Sequence, residues 1–143
     1  MDTRLDDHWN LGIAYTYLND KWSAKDGMEF DKDLVMAGGD VNAAINVLRP
    51  ANHYTANLSY ENGKWYSGLL INWYTGNDTM NFTDKRFLVL DWNLNYELSK
   101  ELTVYTTVTN LTNEAYENST SGYGIGAAPQ PGRAYMIGAR YKF

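Results

Sequence analysis

His8 and His53 are the only imidazoles in a chain without cysteine, so a general base or a zinc site would have to begin with them. Each falls at the start of a predicted strand, and neither has a carboxylate partner at catalytic spacing. Packing at a strand end is the simpler reading, and no enzyme is expected. The acidic run GMEFDKD puts several carboxylates close together but lacks the ligand spacing of a calcium loop, so it reads as a solvated loop. GYGIG at Gly122 to Gly126 resembles a phosphate-cradling turn only on paper, because no helix follows it to supply amide donors. The sequons at Asn57 and Asn118 would signal glycosylation only in a eukaryotic secretory protein; here they read as ordinary polar β sequence. No metal and no cofactor are expected.

The elements that position these residues are strands. The last twelve residues, GRAYMIGARYKF, set Tyr135, Ile137, Ala139, Tyr141 and Phe143 on one face, with Ala134, Met136, Gly138, Arg140 and Lys142 between them. His8 to Leu18 does the same with Trp9, Leu11, Ile13, Tyr15 and Tyr17. Further alternating runs cover His53 to Tyr60, Lys64 to Thr75, Arg86 to Tyr96 and Leu102 to Asn110. Asn62-Gly63 between the second and third runs is a hairpin signal, because both residues tolerate positive φ. The run from Arg86 alternates Leu88, Leu90, Trp92, Leu94 and Tyr96 with Phe87, Val89, Asp91, Asn93 and Asn95. A face carrying three such polar groups in a row costs kilocalories in a dry core unless each is paired, and a watery lumen accommodates it without penalty.

Composition narrows the class. The 143 residues suit one domain, with 15% aromatics including twelve Tyr and five Trp, and a net charge of −5. Nucleic acid is excluded as a partner, since phosphate neutralisation needs a clustered basic surface. No run approaches the roughly eighteen apolar residues of a membrane-spanning helix, yet alternating strands can cross a bilayer with a mean hydropathy below zero. Several of the faces carry aromatics at both ends, as a strand spanning two water interfaces requires. The start, MDTRLDDHW, has no basic segment and no apolar core, so no signal peptide is visible, and the expectation is that the reading frame begins upstream.

The connections run long, short, medium, short, long. An up-and-down barrel puts its short turns on one side and its long loops on the other, and in bacterial outer-membrane barrels the short side is periplasmic. A soluble Greek-key sandwich has no reason for that rhythm. The expected fold is therefore all-β: an antiparallel up-and-down transmembrane β-barrel segment of about six strands in three hairpins. Six strands cannot close, since about eight is the smallest barrel whose interior side chains fill, and an open edge in hydrocarbon leaves backbone groups unpaired. The barrel is thus incomplete.

NLTNEAY at Asn110 to Tyr116, followed by PGRAYMIGARYKF at Pro131 to Phe143, resembles the carboxy-terminal end of TonB-dependent outer-membrane receptors, the transporters for ferric siderophores, haem, cobalamin and some sugars. YTANLSYENGKWYSGLLINWYTG and LGIAYTYLND extend the similarity more loosely upstream. The resemblance implies that residues 1–143 are a single C-terminal piece of a barrel of about twenty-two strands, with the plug domain and earlier strands absent.

It further implies a place in the bacterial outer membrane, a parent receptor for a ferric siderophore or similar chelate, and energy delivered by the TonB complex through the missing N-terminal plug. Ligand capture would fall to loops and the upper lumen wall. The candidates are Lys21, Trp22, Arg49, Tyr74, Arg86, Tyr116 and Tyr123, each of which has a simpler reading as interfacial aromatic or ordinary loop charge. Tyr135, Ile137, Ala139, Tyr141 and Phe143 would form the signal read by the barrel-assembly machinery, with outer-membrane lipid against the same face. The alternatives are a small outer-membrane pore that closes by oligomerising and a soluble β-sandwich binding module.

Overall fold

The computed structural model describes residues 1–18, 50–76, 83–120 and 127–143. Nine strands are present among them: β1 (Asp2–Arg4), β2 (Trp9–Tyr17), β3 (Asn52–Asn62), β4 (Trp65–Thr75), β5 (Arg86–Glu97), β6 (Leu102–Thr109), β7 (Glu117–Thr120), β8 (Ala127–Pro129) and β9 (Ala134–Tyr141). Seven form one antiparallel sheet in the order β1-β2-β3-β4-β5-β6-β9, and β7 pairs with β8 separately. The six expected strands are all there. The structure adds β1, a three-residue edge strand, and the small β7–β8 ribbon inside the last long connection. β1 and β9 do not pair with each other, so the sheet is a wall and not a closed barrel.

Turn chemistry sets the register. Asn62 still pairs with Trp65, so the two-residue loop is Gly63-Lys64 and not Asn62-Gly63. Gly63 has φ 56 while Lys64 does not enter the positive region, which places glycine at the first central position of a primed turn. Ser99 Oγ accepts from the amides of Glu101 and Leu102 at 3.2 and 3.1 Å in the β5–β6 turn. In the turn at 5–8, Asp6 Oδ1 accepts from the amides of His8 and Trp9 at 2.7 and 2.8 Å, the side chain standing in for a backbone acceptor. Those two amides hold the Asp6 carboxyl below the usual carboxylate range.

With register fixed, each face is defined across the sheet. One face carries rows such as Leu11–Leu58–Leu69–Trp92–Val108–Tyr135 and Ile13–Ala56–Ile71–Leu90. Aromatics bound it at both ends: Trp9, Tyr60, Trp65 and Tyr96 towards the short turns, and Tyr15, Tyr54 and Trp73 towards the long loops, with ring centroids 4.2–5.0 Å apart between neighbours. From Trp65 to Trp73 the strand rises about 26 Å at ~3.3 Å per residue, or about 20 Å of membrane depth at a tilt near 40°. With the rings themselves added, that matches an apolar band of about 25 Å.

The face is solvent-open on its outer strands in the isolated chain, Ile13 at 52% and Ile137 at 83% exposure, and more closely packed in the middle, where Val108 is 5% exposed. Three polar side chains in its middle are satisfied from within: Trp92 Nε1 donates to Ser67 Oγ at 3.0 Å, Ser67 Oγ to the Asn93 carbonyl at 3.2 Å, and Thr106 Oγ1 to the Met136 carbonyl at 3.2 Å. Hydrocarbon demands that, since it offers no water to complete a missing bond. A soluble sandwich would bury one face under a second sheet, and among the described residues the only other sheet is the two-stranded β7–β8.

The opposite face is polar, with rows such as Asn10–Ser59–Gly68–Asn93–Thr107–Met136. Close packing occurs where the Tyr105 ring lies over Gly138, a position whose missing Cβ makes room for it. Near the long-loop end this face becomes apolar at Phe87 and Val89, which are 3% and 4% exposed.

Candidate functional site

Phe87 is buried where Tyr116, from the segment after β6, comes back against it. His53, Tyr74 and Phe87 occupy one cross-strand row on β3, β4 and β5. Their rings stack in sequence, His53 on Tyr74 at 4.1 Å and 7°, and Tyr74 on Phe87 at 4.6 Å and 27°. β6 ends at Thr109, short of this row, and Tyr116 from the loop adds a fourth ring at 5.0 Å and 32° from Phe87. Burial, and then the charge of Asp91, push the Tyr116 phenol above its usual range.

At the wall end of the stack His53 Nε2 lies 2.9 Å from Asn72 Oδ1 and 3.1 Å from Thr55 Oγ1. The amide oxygen can only accept, which places the imidazole proton on Nε2. At the loop end Glu117 accepts twice from Thr83, at 2.8 Å from the amide and 2.9 Å from the hydroxyl, and so ties the β4–β5 connection to the last one. A cavity of about 170 Å³ opens between them, lined by Thr83, Asp84, Phe87, Tyr116, Glu117 and Pro129 among others. Aromatic faces with carboxylates at the rim suit a stacked ring better than a phosphate or a metal.

A second constellation anchors this loop. Asn110 is 3% exposed and sits at φ 51, a left-handed position that asparagine tolerates better than most residues. Its side chain donates to the carbonyls of Glu114 at 2.8 Å and Pro131 at 3.3 Å and accepts from the Glu114 amide at 2.8 Å. Its own amide donates to Asp91 Oδ1 at 2.8 Å. Three residues on, Asn113 at φ 57 accepts the Arg133 amide at 2.9 Å. The two motifs NLTN and PGR are therefore bound to each other, and through Asp91 to β5.

Of the ligand candidates, Tyr74 and Tyr116 are brought together, each against Phe87. Arg86 is not with them. It pairs in register with Thr75, in the row next to Trp73–Leu88, and so shares the outward parity of Leu88 at the sheet rim. Its long side chain suits snorkelling above an aromatic belt, and strand parity separates it from Tyr74 and Phe87. Lys21, Trp22, Arg49 and Tyr123 lie outside the described residues, as does the acidic run GMEFDKD. Tyr135, Ile137, Ala139 and Tyr141 share the outward face of edge strand β9, and Phe143, fully exposed, touches Tyr141 edge-on at 5.2 Å. His8 sits at the short-turn rim, Nδ1 3.0 Å from the Glu61 carbonyl oxygen and its ring 5.8 Å from Tyr60.

Sequence reasoning did not anticipate Phe87, His53 as a stacking partner, or Asn110 as a buried hub. The signal for His53 was available: once Asn62-Gly63-Lys64 fixes the β3–β4 register, His53 and Tyr74 must be neighbours.

No protein-family model matches the sequence, and no curated protein matches it either. Solved structures do. The siderophore receptor PiuA from Acinetobacter baumannii superposes with a TM-score of 0.64 at 18% identity, over 99% of this chain and 20% of the receptor. The copper transporter OprC gives 0.63 at 17%, over 99% and 21%. The ferripyoverdine receptor of the outer membrane of Pseudomonas aeruginosa gives 0.63 at 16%, over 99% and 18%. The chain thus spans about a fifth of the length of the structures it matches. Together with the open seven-stranded wall, these superpositions give the chain the fold of a barrel segment of TonB-dependent outer-membrane receptors.

Proposed function

We propose that residues 1–143 form a single carboxy-terminal barrel segment of a bacterial outer-membrane receptor, and that the whole receptor takes up a ferric siderophore or similar metal chelate with energy supplied through TonB. The observation that carries this reading is the outward face: apolar, banded by aromatics at both ends, with Trp92, Ser67 and Thr106 in its middle hydrogen-bonded inside the sheet. Such a face suits lipid and little else. The siderophore and copper cargo of the superposable structures supports the choice of a metal chelate, and the receptors and transporters among them support assigning no catalysis to this chain.

The wall contributes the inner aromatic stack and the loops above it. Coupling to TonB belongs to a plug outside these residues, and insertion to the barrel-assembly machinery, which would read Tyr135 to Phe143. The test is uptake of radiolabelled ferric hydroxamate, catecholate and citrate chelates and of copper, in cells with the gene deleted and restored. At least one cargo should depend on the gene and on the proton gradient. Uptake that is indifferent to both for every cargo refutes the reading.

A further inference from the structure

We propose that Phe87 is the seat for a planar aromatic group of an uncharged or cationic ligand, and that Tyr116 occupies this seat in the ligand-free chain. The inference rests on the reading of this face as the inner wall of a receptor, and it specifies what that wall accepts. Three of the stacked rings are placed by strand register, so their spacing is a property of the sheet. The fourth is different. β6 stops at Thr109, and the place next to Phe87 is filled by a loop residue, with the widest and most tilted contact of the series.

What holds Tyr116 there is local. Glu117 accepts twice from Thr83, and the Gln130 amide donates to the Tyr116 carbonyl at 2.8 Å. The Thr83 pair is exposed, and its bonds exchange for water at little net cost. Lifting Tyr116 therefore leaves the strand ladder intact. It also bares Phe87, otherwise 3% exposed, and an incoming ring restores the lost stacking. Room exists already, because the cavity of about 170 Å³ reaches both Phe87 and Tyr116. Charge selects the ligand: Asp84 and Glu117 line that cavity and Asp91 lies beneath the Asn110 turn, so an anion is repelled and a cation is drawn towards the ring faces.

The test uses the full-length receptor that carries residues 1–143, purified in detergent micelles and titrated with 2-naphthylmethylammonium, with its fully saturated counterpart, and with 2-naphthoate. The far-UV spectrum reports the fold and the titration reports the seat, so failure of the membrane reading and failure of this one are read separately. Tyr116→Ala should tighten binding of the naphthyl cation about tenfold, the factor expected when the closed form holds roughly nine-tenths of the population. Thr83→Ala, which removes the hydroxyl donor to Glu117 and keeps the amide one, should tighten it less but in the same direction, and Phe87→Leu should weaken it. The saturated cation and the naphthyl anion should bind more weakly than the naphthyl cation. Unchanged or weaker binding in both Tyr116→Ala and Thr83→Ala, or equal binding of the saturated cation, overturns the proposal.

Discussion

Replacing Asn110 tests whether the NLTN motif is a structural knot. In the wild type one side chain serves three hydrogen bonds at 2.8, 2.8 and 3.3 Å while 3% exposed and at φ 51. Asn110→Ala removes all three and strands the Glu114 amide and carbonyl. At about 1 kcal/mol for each of the two short bonds and less for the long one, with part of a desolvation penalty for the stranded groups, the loss is about 3 kcal/mol. Holding alanine in the left-handed region adds roughly 1 kcal/mol. Asn110→Gly keeps the backbone conformation and loses only the bonds. Urea unfolding of the chain in micelles, followed by tryptophan fluorescence, should therefore give losses of about 4 kcal/mol for alanine and about 3 for glycine. Hydrogen exchange should show β9 loosening first, because Pro131 and Arg133 are tied to this turn. A loss below about 1 kcal/mol for Asn110→Ala, or a glycine variant worse than the alanine one, would refute the reasoning.

Three other outcomes are expected. Ile71→Arg places a charge at the middle of the outward face and should cost about 2–4 kcal/mol in phospholipid vesicles, whereas Thr107→Arg on the inner face should cost under about 1, both read by urea titration; equal costs would mean that the faces are misassigned. Deleting Phe143 from the full-length receptor should lower the amount of folded, heat-modifiable protein at the cell surface without changing ligand affinity. In micelles the same deletion should leave the stability of this chain within about 0.5 kcal/mol, since Phe143 is fully exposed and, among the described residues, its one ring contact is with Tyr141. The Asp6 turn should tighten above the ordinary aspartate value of 3.8 and loosen as the pH falls through its lowered folded value, because protonation surrenders the bonds from His8 and Trp9. Amide exchange at Trp9 measures this, and Asp6→Asn should flatten the pH dependence.

Periodicity made the walls of this fold readable and left its corners hidden, for a physical reason. On a strand each residue's face follows from its neighbour's, so one hairpin register propagates across the sheet: Gly63-Lys64 sets β3 against β4, and the alternation in β5 and β9 extends the same two faces. Even the separation of Arg86 from Phe87 was open to that logic, since Arg86 shares parity with Leu88. β1 and the β7–β8 ribbon carry no such signal, being three or four residues long with no apolar alternation. The loop contacts depend on single side chains, Asn110 filling its hydrogen bonds across four residues and Glu117 reaching 34 residues back to Thr83. Nothing periodic announces either one. Phe87 shows the consequence: in the sequence it is an apolar residue on the wet face of a strand, and only Tyr116, packed against it from the following loop, explains why it is apolar.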